Sequence, residues 1–350
     1  MSRPMDRQRL NRLSLAGGLA AALLAVALFL TWQEARQAWQ PDVSGPVLPD
    51  WSGAVERAAE IGIESGEDRF VLARGATGWV MPSRDDHPVR SERLAELDAF
   101  LAGLDYAGAR TADPDKHARL GLADGTGEGA ATRVTVRDGE GAVLADILLG
   151  RESEAGIYVR FPGRNRTYLA GAGETRESLP DIAEAADWLD LDFLALGANA
   201  VAGATIAPES GPAYRLERPS PSVRSFALRE PAGWTLITAA AGNGPASALS
   251  RVRFRDVRAA DRLDGEVVAR HEAETFAGVR VRLDVLALGE TRWAVLRADA
   301  LTDDAQAAAE AINTSAEGWA FLLSDLTLDR MIRPLAQIAD PRAETDRDAP

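Results

Sequence analysis

From Leu13 to Gln33 the chain reads LSLAGGLAAALLAVALFLTWQ, twenty-one residues without a charge. A helix rises about 1.5 Å per residue, so this one would cover roughly 30 Å, the thickness of a bilayer's hydrocarbon core. With no polar face along it, the stretch predicts a membrane-spanning helix rather than a surface helix of a globular domain. A cleaved secretory signal would need its small-x-small site in extended polar chain, whereas Ala25-Val26-Ala27 lies inside the apolar run. Glu34 to Gln40 can prolong the helix until Pro41, Pro46 and Pro49 interrupt the backbone, and the segment up to residue 57 reads as a proline-punctuated spacer.

From Ala58 the apolar period changes to two. Ile61, Ile63, Phe70, Leu72, Trp79 and Met81, with turn signals at Ser65-Gly66 and Gly75-Ala76, predict a meander of short antiparallel strands. Leu94, Leu97, Leu101 and Leu104 then recur at helical spacing over Ser91 to Leu104. After a polar connector come strands at Thr132–Arg137, Val143–Leu149, Ile157–Phe161 and Thr167–Ala170, and LPDIAEAADWLDLDFLAL predicts a closing helix with Ile182, Trp188, Leu189 and Phe193. Alternation resumes near Val201. Gly233-Trp234 falls 155 residues after Gly78-Trp79, each pair is followed by a helix candidate (the second roughly Pro245 to Val257), and TRVTVRDGEGAVLADILLG finds a counterpart in GVRVRLDVLALGETRWAVL. Such a period indicates a duplicated domain rather than a solenoid. Gly318-Trp319 opens what reads as a third, truncated copy.

The expected fold is α+β: an N-terminal transmembrane helix followed by two related antiparallel-sheet domains, each packed with amphipathic helices. The boundaries are a basic N-terminus (1–12), the anchor (13–33), the spacer (34–57), a first repeat (58–197), a second (198–338) and a charged tail (339–350) expected to be disordered.

Charge orients this arrangement. Arg3, Arg7, Arg9 and Arg12 precede the apolar run against Asp6 alone, which keeps the N-terminus cytoplasmic and puts the remaining domains on the periplasmic side. Trp32 and Trp39, one heptad apart, are suited to the membrane interface. The net charge is −14, and without the first thirty-three residues it is −17, a field that repels nucleic acid and anionic lipid. The absence of cysteine removes disulfides, thiolate metal sites and cysteine nucleophiles. Alanine is abundant and Lys116 is the sole lysine, a compositional bias that weakens alanine as a helix signal.

No constellation stands out as catalytic, cofactor-binding or metal-binding. His87, His117 and His271 are isolated in sequence. Gly125 to Ala130, GTGEGA, satisfies the letters of a dinucleotide motif but lies between a polar connector and a strand, so it reads as a flexible loop. Asp187, Asp190 and Asp192 lack the glycine and glutamate of a calcium loop and read as a solvated face. Arg251, Arg253, Arg255, Arg258 and Arg262 form the one dense basic run beyond the N-terminus. The first four are the candidates for docking an acidic partner, against the plainer reading of a charged solvent face. The three Gly-Trp pairs read as core-packed corners.

The order of features resembles a known family. A single N-terminal anchor, a sheet ending in GWV-P, an amphipathic helix, the DPDKHARLGL connector, ATRVTVRD, ADILLG, IYVR and a TYLA strand are together similar to the bacterial membrane-anchored family catalogued as domain of unknown function 4340. The resemblance runs from Ile61 to Ile338, carried most specifically by His117–Leu122 and Ala145–Gly150. The second half departs from the pattern, with ARHEAETFAG where a HARLGL equivalent is expected. The resemblance implies a membrane-anchored extracytoplasmic accessory to an ABC-type exporter of the gliding-motility class and assigns no functional residue; with the anchor, the duplicated sheets and the missing active-site constellation, the leading expectation is an inner-membrane, single-pass accessory or scaffold without catalysis of its own. Two alternatives are an envelope hydrolase using carboxylates from separate loops, and a module binding a small ligand or cell-wall glycan. In a chain of this bacterial character, the glycosylation sequons at Asn165 and Asn313 are chance matches.

Overall fold

A computed structural model describes residues 21–32, 41–171, 179–197, 199–250 and 252–342. Residues 21–32 are helical (α1), and the large apolar side chains from Leu23 to Trp32 are exposed. The rest of the 13–33 stretch lies outside the described residues, among which no helix is long and apolar enough to cross a membrane. The next elements in chain order are α2 (Trp51–Arg57), β1 (Ala58–Ser65), β2 (Asp68–Arg74), β3 (Trp79–Met81), β4 (His87–Pro88), α3 (Ser91–Ala102), β5 (Asp105–Ala109), β6 (Thr132–Asp138), β7 (Val143–Ser153), β8 (Gly156–Arg160) and β9 (Thr167–Gly171). After them come β10 (Val201–Ala207), β11 (Tyr214–Glu217), β12 (Ala227–Glu230), β13 (Trp234–Leu236), α4 (Asn243–Ala246), β14 (Val257–Ala259), β15 (Glu266–Thr275), β16 (Val279–Leu288), β17 (Thr291–Ala300), α5 (Gln306–Ala316), β18 (Trp319–Leu322), α6 (Asp325–Met331) and β19 (Ala339–Pro341).

Two compact units result. The first takes in the described residues up to Val71 together with Glu92–Glu184; the second takes in Leu72–Ser91 and the described residues from Ala185. Residues 72–91 and 185–197 thus group with the second unit.

The duplication holds in the strand order. One sheet runs β4-β3-β2-β1-β6-β7-β8-β9-β5 and the other β12-β11-β10-β15-β16-β17-β18-β14, so β1–β3 and β5–β9 correspond, in chain order and in pairing order, to β10–β12 and β14–β18. The counterpart of β6–β7 is β15–β16, one strand earlier than the sequence pairing suggests. All these hairpins share a period of two, and only hydrogen bonding shows which strand neighbours β1 or β10. Gly318-Trp319 opens β18, which lies between β17 and β14, so the third copy is part of the second sheet.

Strand alternation builds the cores. In the first unit Ile61 faces Val136 and Ile63 faces Val134, with Ile147 and Val159 continuing the buried row across β7 and β8. Each such side chain taken from water contributes roughly 1.5–3 kcal/mol. Helix α2 packs on β6 and β7, and its Trp51 Nε1 donates to Asp98 Oδ1 of α3 at 2.8 Å. The chain ahead of α2 is not a free spacer: Val47 N donates to Leu104 O (2.7 Å) and Tyr106 N to Gly45 O (2.9 Å), which covers the start of edge strand β5.

In the second unit α5 lies on β17, where Asn313 Oδ1 accepts from Ala298 N and Nδ2 donates to Ala298 O, both at 2.8 Å. A side chain clamped at both ends is not an open glycosylation acceptor. Sequence reading passes over this helix because its alanines count as composition; three of its alanines or those just before it, Ala305, Ala309 and Ala316, are what it buries. The helix expected over Pro245–Val257 contracts to α4 and a 3₁₀ turn at Ala248–Ser250, since Val252 and Phe254 are buried alternately with exposed Arg253 and Arg255, as in a strand. The helix expected over 179–196 is one 3₁₀ turn at Ala185–Trp188; beyond it the Leu191 and Leu194 carbonyls accept from Phe254 N and Val252 N. The tail from 339 begins with β19, paired to β13 and secured by Arg342 N to Gly233 O at 2.6 Å.

His271, in the middle of β15, is fully buried. Its Nε2 shares a hydrogen bond with Pro245 O at 2.8 Å, while Nδ1 has no partner. Burial lowers its pKa from 6.5 to about 4, against the smaller opposing effect of that hydrogen bond. Between those values the unfolded chain binds a proton that the folded chain refuses, so its contribution is complete above pH 6.5 and is lost as pH falls toward 4, on the order of 3 kcal/mol in total. Urea denaturation at intervals from pH 7 to 4 is expected to show this loss, with a shallower dependence in His271→Gln.

Candidate functional site

The first unit has a cleft of about 490 Å³, and it forms where the stretches carrying the family resemblance meet. The face of β6, β7 and β8 opposite the Ile63 row carries Arg133, Thr135, Asp146, Leu148 and Arg160. Over it lies the long connector of residues 110–131, whose Leu122 joins Ala131 and Leu148 in a small buried cluster flanked by Leu120 and Tyr158. The connector is seated at backbone contact. A Cβ on Gly150 would stand 2.5 Å from Leu120 O, and one on Gly129, at φ +74°, would stand 2.3 Å from Ala118 O. GTGEGA is thus part of a fitted turn.

Arg160 is the clamp. It has 2% of its side chain exposed and donates from Nε and Nη2 to Leu122 O (3.2 and 2.9 Å), from Nη2 to Asp124 Oδ1 (2.6 Å) and from Nη1 to Arg164 O (3.0 Å). His117 Nε2 adds a hydrogen bond with Asn165 O at 2.9 Å. The floor beside the clamp is a second ion pair, in which Arg133 Nε and Nη2 meet the two oxygens of Asp146 at 2.8 and 2.7 Å and Thr135 Oγ1 donates to Asp146 Oδ1. This bond to Asp146 raises the pKa of Arg133.

Floor residues are Ala131, Leu148 and Pro162; the rim is the β1–β2 hairpin, with Glu64, Glu67, Asp68 and Arg69, and the turn Asp124–Thr126. Glu64 pairs with Arg69 at 2.8 Å. Each arginine around the cleft is therefore held by a carboxylate, and Glu67 and Asp68 at the hairpin tip are left as exposed acceptors. Such a set suits recognition of a ligand better than proton transfer, which needs a carboxyl in a desolvated pocket.

Of the residues singled out from sequence, His117 and the Gly125–Ala130 turn belong to this region, and the candidate partner-binding and interface residues lie elsewhere. Arg251 and Trp39 are outside the described residues. Arg253, 71% exposed, reaches Asp187 at 3.5 Å; Arg255 is exposed; Arg258 Nη1 donates to Ser83 O at 2.6 Å. Arg262 pairs with Asp85, so Arg258 and Arg262 of the run, together with Asp256 paired to Arg84, pin residues 83–85 within the second unit. Trp32 lies in α1 with its ring 6.2 Å from Phe29. The Gly-Trp tryptophans 79, 234 and 319 are half-buried rather than core; Trp79 lies under Arg74 and Trp319 packs edge-on to His87 at 4.6 Å. The three histidines are in separate surroundings, and among the described residues no three potential ligands gather as for a metal. Sequence reading missed Arg160 and Asp146, whose one signal is a charge set inside an otherwise apolar strand.

Comparison with known proteins bears on the same region. The family described as a domain of unknown function (DUF4340) matches residues 79–267, more than half of the chain, and the chain belongs to it. The match takes in the connector, β6, β7, β8 and the clamp, over a shorter span than Ile61–Ile338. No curated protein and no solved structure matches the chain.

Replacing Arg160 with methionine leaves the Leu122 and Arg164 carbonyls without their donor and is expected to cost about 2–4 kcal/mol in chemical denaturation. Gly129→Ala, which combines a left-handed backbone with a clash on Ala118 O, is expected to cost more than the ~1 kcal/mol of strain alone. A change below 0.5 kcal/mol in either would mean that the connector is not seated as described.

Proposed function

We propose that the protein is a membrane-tethered extracytoplasmic accessory that works by contact with other proteins, with subunits of an ABC-type exporter as its partners. The observation that carries the reading is α1: residues 21–32 hold no charge, and Leu23, Leu24, Val26, Leu28, Phe29, Leu30 and Trp32 are all more than half exposed. An apolar surface on every side of a helix calls for an apolar surrounding, and the arginines ahead of it favour a cytoplasmic N-terminus with both sheet units in the periplasm. Trp32 and Trp39 are then interface anchors. The exporter association comes from the family resemblance and is a proposal on that ground alone. A ligand-binding role for the first unit is compatible with it and is favoured over hydrolysis by the arginine-held carboxylates of the cleft.

Expressed in a bacterial host, the full chain is expected in carbonate-washed membranes and to be cut by protease added to spheroplasts; a chain lacking residues 13–33 is expected in the soluble fraction. Recovery of the full chain as a soluble protein would overturn the tether. Capture from gently solubilised membranes that repeatedly yields no transporter ATPase or permease would remove the exporter.

A further inference from the structure

We propose that the cleft of the first unit binds a short extended peptide segment through one basic side chain. Comparison of the two units shows that the fold does not require the element that makes the cleft. The step from β14 to β15 is taken by residues 260–265, whereas the equivalent step from β5 to β6 takes residues 110–131. The same strand order is reached either way. The longer connector is nevertheless held by a buried arginine, a histidine and two glycines at backbone contact, and what it adds is the wall of a cleft of about 490 Å³. Long ordered loops in compact domains are commonly functional, and this volume suits a small ligand or short segment.

The chemistry of the walls selects the occupant. Of the six charged side chains lining the cleft four are acidic, Glu64, Glu67, Asp68 and Asp124, against Arg69 and Arg133. Pairing with Glu64 and Asp146 neutralises both arginines, and Arg160 neutralises Asp124, so the surplus charge is negative and concentrated at Glu67 and Asp68. A guanidinium or ammonium at the rim meets those carboxylates. Its aliphatic stem lies on Leu148, Ala131 and Pro162. The amides of Gly125 and Thr126, which line the cleft, make no backbone–backbone hydrogen bond among the described residues and offer donors to a peptide carbonyl, which a simple amine would leave unused. This goes beyond the accessory role and does not depend on the membrane tether.

The test is calorimetric titration of the full chain in detergent with three probes: a capped tripeptide with a central arginine, its counterpart with a central glutamate, and a short alkyl diamine. The arginine peptide is expected to saturate one site per chain, the glutamate peptide not to bind, and the diamine to bind more weakly. The double variant Glu67→Gln, Asp68→Asn removes two exposed carboxylates at a hairpin tip, so its melting transition is expected to be unchanged while affinity for the arginine peptide falls about fivefold or more. No saturable binding of the arginine peptide at millimolar concentration, equal binding of the glutamate peptide, or an unaltered affinity in the double variant would overturn the proposal. Diamine binding as tight as the peptide's would reassign the cleft to free amines and overturn the peptide. None of these results would alter the fractionation outcome, so the two readings fail separately.

Discussion

Each unit depends on one constraint: successive side chains of a strand must go to opposite faces, and a slip of one residue would exchange the faces entirely. In the first unit the pairing of Ile63 with Val134 and of Val134 with Ile147 locks that choice, because the alternative register would bury Arg133 and Arg137. In the second unit β15–β17 obey the same rule. Ala273, Val281 and Ala298 go inward, and Glu272, Glu274, Arg280 and Arg282 form a ladder of ion pairs outward, with Arg280 2.7 Å from Glu274 and Arg282 3.0 Å from Glu272. Such exposed pairs are worth little individually, about 0–1 kcal/mol. Their weight lies in excluding the flipped register.

The faces opposite the cores are used differently in the two units. In the second, the outer face of β15 and β16 remains a solvated charge ladder. In the first, the connector lies down on the corresponding surface, and burying polar backbone there requires that every carbonyl find a donor. Arg160 supplies three such bonds, two to Leu122 O and one to Arg164 O, and a fourth to the Asp124 carboxylate, from a single side chain, which a neutral residue at that position could not do. The clamp and the cleft are therefore one feature: the guanidinium that satisfies the buried carbonyls also fixes Asp124 at the rim.

Much of the architecture was legible in local pattern. Strands β6 to β9 fall within a few residues of their expected bounds, α3 within two, and the two sheets share a strand order, because period-two alternation and leucine spacing are properties of contiguous chain. The candidate site was not legible. Arg160, Asp146, Asp124 and Glu67 come from four separate segments and have no common spacing. The arginine run that did stand out, Arg253 to Arg262, lies in the second unit, where Arg258 and Arg262 hold residues 83–85.

The amino-acid sequence by itself determined which stretches are apolar, their period, the charge imbalance across residues 13–33 and the family to which the chain belongs, since all of these are carried by neighbours along the chain. Tertiary structure alone decided which hairpin of one half answers to which of the other, that residues 72–91 group with the later unit, and that a glycine-rich turn is held over a sheet by a buried arginine. Those outcomes rest on hydrogen bonds and steric contacts between residues far apart in sequence, such as Arg160 with Leu122 and Gly150 with Leu120, and no local pattern encodes them.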